Sequence, residues 1–374
     1  MNPQEIFCPN IDCPARGQKG RGNIGVHSQK EQRYICDVCD QTFTTTKGTI
    51  FYRLRREPKI VMQVITLLAH GCPVQAIVAA YGLDERTVQD WWKRAGKHCQ
   101  KVHEHKVEQA KMDLGQVQAD EIKVKTFVGT VWMALAIMVS TRLWLGGAVS
   151  PHRDLDLIQR LANKIRNMAL CRPLLLAVDG LASYVTAYRM AFRSALPRRK
   201  GEKGRPQLIS WPNIAIVQVV KQRVDRKLNI ARRIVQGSPA MVKSLIQKTQ
   251  GTGGINTAFI ERFNATFRQR LNCLVRRTRT LARKVDTLET GMYVVGCFYN
   301  FCHPHHSLRL KLSVGRYGYR WVQRTPAIAA GLADHIWTPA ELFNFRIPPS
   351  RWKPPIQRGR RSLATQKLFQ RWCS

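Results

Sequence analysis

The sequence predicts a multidomain chain: a small zinc ribbon, then an all-α helix-turn-helix segment, then an α/β domain with helices flanking a mixed sheet. Three observations carry that expectation. Two close cysteine pairs lie in a polar, Gly-rich first segment, helical periodicity takes over at Pro58, and strand-like and helical stretches alternate from Gln116 onward. At 374 residues the chain can bury a real core and hold more than one domain.

Up to about Tyr52 the chain is too polar to form much of a core. Cys8 and Cys13 make a C-x4-C pair and Cys36 and Cys39 a C-x2-C pair. Four thiolates from two short knuckles satisfy tetrahedral Zn²⁺, whose binding energy replaces the missing core. The other cysteines are scattered singly in apolar contexts and read as buried thiols.

From 53 to 110 the pattern is helical. "PKIVMQVITLLAHG" places Ile60, Val64, Leu67 and Leu68 on one face, "PVQAIVAAYGL" is a second short helix stopped by Gly82, and Asp84 is placed to cap a third. That third helix carries Arg86, Gln89, Lys93 and Arg94, the side chains expected to reach DNA if it enters the major groove.

From 111 to 310 the expected order is a strand in "QVQADEIKV", a hairpin of "TVWMALAIMV" and "LWLGGAVS", a helix, a buried strand "PLLLAVDG", a helix, a strand "NIAIVQVVK" and two further helices. A basic insertion near 193–206 reads as a surface loop. Residues 311–374 form a basic extension whose "RIPPSRWKPPIQRGRRS" needs no fold of its own.

Charge bounds the partner. The 61 Lys and Arg against 24 Asp and Glu leave a formal +37, and nucleic acid is the commonest counter-charge. The longest apolar stretch is broken by Ser140, Thr141 and Arg142, which argues against a membrane span. No charged-then-apolar leader opens the sequence, so the expected location is the cytoplasm, with the nucleoid.

Against that charge the carboxylates stand out. Gln118, Asp120, Ile122 and Val124 share one strand face, while Glu121, Lys123 and Lys125 share the other. Asp179 closes an apolar strand, at the carboxyl end where open sheets place their sites. Glu261 is the only acidic residue between Arg226 and Val285, and it shares a helix face with Asn264 and Arg268. Three carboxylates from two strands and a helix suit a pair of Mg²⁺ (or Mn²⁺) ions acting on phosphate. The bland alternative pairs Glu261 with Arg262 or Arg268 on a solvated surface; Asp286 and Glu289 are its substitutes. "QGTGGIN" reads as a hinge, since it lacks the Lys-Ser/Thr ending of a nucleotide loop.

The stretches "QADEIK", "AVDG", "INTAFIERFNATFRQRL" and "YNFCHPHHSL" resemble the DDE-type insertion-sequence transposases, with their ribonuclease-H-like, retroviral-integrase-like catalytic core. The resemblance reaches to about Leu310 and implies Asp120, Asp179 and Glu261 as catalytic metal ligands. The basic surroundings of Glu261 are expected to hold the polyanion, with DNA contacts from Asn264, Arg268, Arg276 and Arg277, and joining two DNA ends implies an assembly of at least two copies on double-stranded DNA. His303 stands where the family's closing motif usually has Arg. The residues alone leave open a DNA-binding regulator without catalysis and a nuclease without strand transfer.

Overall fold

A computed structural model describes residues 2–127, 129–197, 203–224, 227–275, 281–282, 284–315, 318–354 and 359–373. Its contacts group the chain into two compact units, Met1–Pro58 with Phe343–Ser374, and Lys59–Leu342.

In the first unit the strands β1 (Ile24–Ser28), β2 (Arg33–Cys36) and β3 (Thr42–Thr44) form an antiparallel sheet. They are too short to bury a core alone, and the buried cluster they share is built on Cys8, Cys13, Cys36, Ile24, Tyr34 and Phe43. Trp372 belongs to the same cluster. It closes a C-terminal helix, Leu363–Trp372, whose N-cap Ser362 accepts from the amide of Thr365 at 3.2 Å. The Pro- and Arg-rich stretch 346–362 has no helix or strand among its described residues, as its composition implies, but the helix after it was not expected.

The second unit opens with α1 (Pro58–Ala69), α2 (Val74–Tyr81) and α3 (Glu85–His103). The buried face of α1 is Val61, Val64, Ile65 and Leu68; Leu67, expected on that face, is exposed. Gly82 ends α2 with a left-handed φ of 58°, and the Asp84 carboxylate accepts from the amides of Arg86 and Thr87, as its capping position predicts.

Six strands then form one mixed sheet: β4 (Gln116–Thr126), β5 (Gly129–Met138), β6 (Trp144–Ser150), β7 (Leu174–Asp179), β10 (Ile214–Val224) and β11 (Lys227–Gln236), in the order β11-β10-β7-β4-β5-β6. The small pair β8 (Arg193–Ala195) and β9 (Leu208–Ser210) lies between β7 and β10 in sequence, so the flanks of the basic insertion are paired strands, while 198–202 lie outside the described residues. β4, β5 and β6 are an antiparallel meander; β7 is parallel to β4, and β10 is parallel to β7. β11 returns antiparallel, a strand its charged sequence concealed.

Helices α4 (Leu155–Met168), α5 (Ala182–Ala191), α6 (Pro239–Gln250), α7 (Ala258–Arg270) and α8 (Val285–Cys297) accompany the sheet. The apolar stripe of α7 is buried as its spacing predicts, through Ile260, Phe263 and Phe267. The long α3 packs on α8 so closely that a Cβ at Gly96 would lie 2.3 Å from the side chain of Thr290. A separate hairpin, β12 (Leu310–Val314) and β13 (Gly318–Val322), follows α8.

Candidate functional site

Register explains why two distant aspartates meet. Val117 pairs with Leu176 and Gln118 with Ala177 on parallel strands, so two steps further Asp120 of β4 lies beside Asp179, the last residue of β7. Leu181 donates its amide to Asp179 Oδ1 at 2.9 Å, which fixes the carboxylate on the turn into α5.

Gln118 sets the third element. Thr257 gives α7 no side-chain cap. The free amides of Phe259 and Ile260 instead donate to Gln118 Oε1, both at 3.0 Å, and Gln118 Nε2 donates to the Asn256 carbonyl at 2.8 Å. A strand residue thus caps the helix that carries Glu261, two positions before Asp120 on the same strand face. The Gly-rich segment before α7, expected as a hinge, is tied down by Asn256, which also donates to Gln250 Oε1 at 2.9 Å. Gln118→Ala is expected to destabilise the fold by about 1 to 2 kcal/mol, as loss of a helix cap does. Thermal melting checks this.

Asp120, Asp179 and Glu261 line one open cleft of about 510 Å³ with Arg153, Lys221 and Thr257. The expected carboxylates are therefore brought together on one cleft, although from different distances. Oxygens of Asp120, Glu121 and Asp179 all lie within 4.8 Å of one another, and Glu261 is not among them. Glu261 accepts from Lys221 Nζ at 2.5 Å and from Thr257 Oγ1 at 2.6 Å. Its partner in this structure is a lysine of β10, and neither Arg262 nor Arg268.

Glu121 is the residue that sequence reasoning missed. Placed on the outer face with Lys123 and Lys125, its side chain is in fact 0 % exposed. β4 is a central strand, and along its first two thirds both faces are covered. Arg153, just ahead of α4, joins it to the cleft by donating from Nη2 to Glu121 Oε2 and to Asp179 Oδ2, each at 3.0 Å. Glu121 Oε1 is buried with no hydrogen-bond partner among the described residues.

Asn264 departs from its expected place among the DNA contacts. It is 1 % exposed, so it has no access to a DNA strand in this structure, and its Nδ2 donates to Asp120 Oδ2 at 2.8 Å. Arg268 is half-buried on α7, and Arg276 and Arg277 lie outside the described residues. On α3, Arg86, Gln89, Lys93 and Arg94 are exposed, while Val88, Trp91 and Ala95 are buried. In "HPHH", His303 packs edge-on against His70 with ring centroids 4.9 Å apart.

The electrostatics follow the geometry. Burial, with repulsion from Asp179 and Glu261, raises Asp120 from 3.8 to about 6. Burial and the Asp179 charge likewise raise Glu121, against the pull of Arg153. Partial burial opposes the charge on Glu261, yet its hydrogen bonds to Lys221 and Thr257 prevail and hold it below the usual glutamate value. Four carboxylates against two cations leave this spot acidic on a strongly basic chain, the condition that draws a divalent cation. Oxygens sharing one Mg²⁺ are at most about 4.2 Å apart, so Asp120, Glu121 and Asp179 need only a small inward shift to hold one, whereas Glu261, outside that group, has further to come.

The cysteine cluster of the first unit fits a metal more tightly still. All four sulfurs lie within 4.8 Å of one another, with Cys8 to Cys39 at 3.7 Å and Cys13 to Cys36 at 3.8 Å. A tetrahedron of Zn–S bonds has an edge of about 3.8 Å. Asn23 Nδ2 donates to Cys36 Sγ at 3.6 Å, a contact suited to a thiolate. Burial and the neighbouring thiols push Cys13 up to about 12, a cost that a bound cation removes. Of the single cysteines, Cys99 and Cys297 are buried as expected, while Cys171 is exposed.

Among the described residues no helix is long and apolar enough to cross a membrane. No family model matches the chain, and no curated protein matches it.

Proposed function

We propose that the chain is a DDE-type DNA transposase that binds the ends of an insertion sequence, hydrolyses a phosphodiester there and joins the freed strand to target DNA. The observation that carries this reading is the one cleft lined by Asp120 and Asp179 of adjacent parallel strands and by Glu261 of a helix capped from the same strand. A mixed sheet that joins an antiparallel meander to parallel strands is compatible with the ribonuclease-H-like core that the motifs imply.

Asp120, Asp179 and Glu261 would hold two Mg²⁺ (or Mn²⁺) ions, which when bound activate the attacking oxygen and steady the leaving one. The chain's own residues prepare that site. Asn264 orients Asp120, the Leu181 amide orients Asp179, and Thr257 with Lys221 holds Glu261 ionised. Arg153 and Lys221 neutralise part of the carboxylate charge and stand at the cleft wall, where a phosphate would also meet them. Hydrolysis and joining differ only in whether water or a 3′ hydroxyl attacks, so one site serves both.

In the same reading Zn²⁺ fills the Cys8, Cys13, Cys36 and Cys39 cluster. The exposed face of α3 reads the terminal repeat through Arg86, Gln89, Lys93 and Arg94, and the working form is at least a dimer on double-stranded DNA, in a bacterial cytoplasm. The test is incubation of the chain with Mg²⁺ and end-bearing duplexes. Joined products support the transposase, release of cut ends without joining identifies a nuclease, and binding without cleavage identifies a regulator.

A further inference from the structure

The hairpin β12–β13 is unlike the rest of the fold. Every position of its two strands is exposed except the half-buried Val322, and Tyr319 and Trp321 are 57 % and 38 % exposed. A two-stranded ribbon is marginal by itself, and clustered exposed rings mark a surface that meets a partner.

Register sorts the ribbon into two faces. Directly opposed residues of an antiparallel pair share a face, so Lys311 with Trp321 and Ser313 with Tyr319 form one face, while Leu310, Leu312 and Val314 lie on the other with a single cation, Arg320. On the first face the Arg309 guanidinium sits 3.9 Å over the Trp321 ring, and Lys311 Nζ sits 4.1 Å over Tyr319. The rings act as posts that hold two cations outward.

We propose that β12–β13 is a duplex-DNA contact, seated in the major groove with its Arg309, Lys311, Tyr319 and Trp321 face inward and the two cations reaching phosphates of the groove walls. This rests on the DNA-binding part of the reading above and is independent of its catalytic part. Three observations favour this occupant. From Arg309 to Arg324 there is no Asp or Glu, so a second copy of the ribbon would set like charges together with nothing to pair them. Each ring already has one face taken by a cation, which leaves a base of a single strand only the other face to stack on. A two-stranded ribbon also fits the major groove, which is about 12 Å wide.

The experiment is a salt series of duplex binding by the full chain, followed by fluorescence anisotropy, for wild type and the double variant Arg309→Gln with Lys311→Gln. Both positions are exposed or at the ribbon margin, and unchanged thermal melting confirms the fold. Two lost phosphate contacts should make the slope of log affinity on log salt shallower by about 1.8 and weaken binding on the order of tenfold at physiological salt. Leu312→Ser, on the other face, should leave the slope unchanged. A double variant with the wild-type slope overturns the proposal. So does a loss confined to single-stranded DNA, or a change in the mass of the free chain that would mark the ribbon as a contact between copies. Wild type that binds duplex but never cuts it would sink the catalytic reading and leave the ribbon standing; wild type that binds no duplex removes both.

Discussion

Asp120→Asn is expected to lose Mg²⁺-dependent cleavage and joining by on the order of 10³-fold, about 4 kcal/mol of barrier, while melting at a higher temperature than wild type in the absence of divalent cation. The two halves have one cause. In the fold Asp120 titrates near pH 6 against 3.8 when unperturbed, because it is buried beside Asp179 and Glu261. The native state therefore prefers the protonated form, so the charge costs nothing below the unfolded value. The cost grows as pH rises through that interval and is complete above about pH 6. Asparagine keeps an oxygen to accept from Asn264 and removes the charge, which should return up to about 3 kcal/mol at pH 7.5. Mg²⁺ should reverse the order of stability, since it compensates the carboxylate and not the amide. Thermal melting with and without Mg²⁺, beside a cleavage assay, reads both effects; an inactive variant that is also less stable than wild type without metal would point to damage instead of a lost ligand.

Cys36→Ser should unfold the first unit. Its sheet has strands of five, four and three residues, and its buried cluster is built around the cysteines themselves. A structural zinc contributes about 10 to 16 kcal/mol in small zinc modules, far more than so small a core supplies. Loss of one of four thiolates is therefore expected to release the metal, and to open the segment up to Pro58 and the C-terminal helix to protease. Metal analysis and limited proteolysis check this, with chelator on the wild type as the matching condition. If Cys36→Ser retains zinc and resists protease, the cluster is not a structural metal site.

The sheet and its aspartates were legible because their signals are local. "LLLAVDG" is too apolar to be a half-exposed strand, and its aspartate comes where the apolar run stops; "IERFNATF" buries its stripe at helical spacing as read. Glu121 was hidden by the same logic, since alternation puts it opposite Asp120, and only the central place of β4 buries both faces. The pattern to look for was an adjacent acid pair in a strand flanked by apolar strands on either side. Asn264 and Gln118 were misread or passed over because their roles depend on what lies across from them. The union of Trp372 with the cysteine cluster joins residues more than 330 positions apart, and no local pattern announces it. β11 was missed because "KLNIARRIVQ" carries charge on a strand whose pairing with β10, and not its composition, makes it a strand.

Glu261, isolated among arginines in sequence, is proposed as a metal-holding carboxylate of the cleft. Its most direct test compares wild type with Glu261→Gln on end-bearing DNA with Mg²⁺, measuring binding, cleavage and joining together. Wild type is expected to cut and join, and Glu261→Gln to bind as well but do neither. Equal cutting and joining by both proteins would contradict it and leave Glu261 as no more than the partner of Lys221.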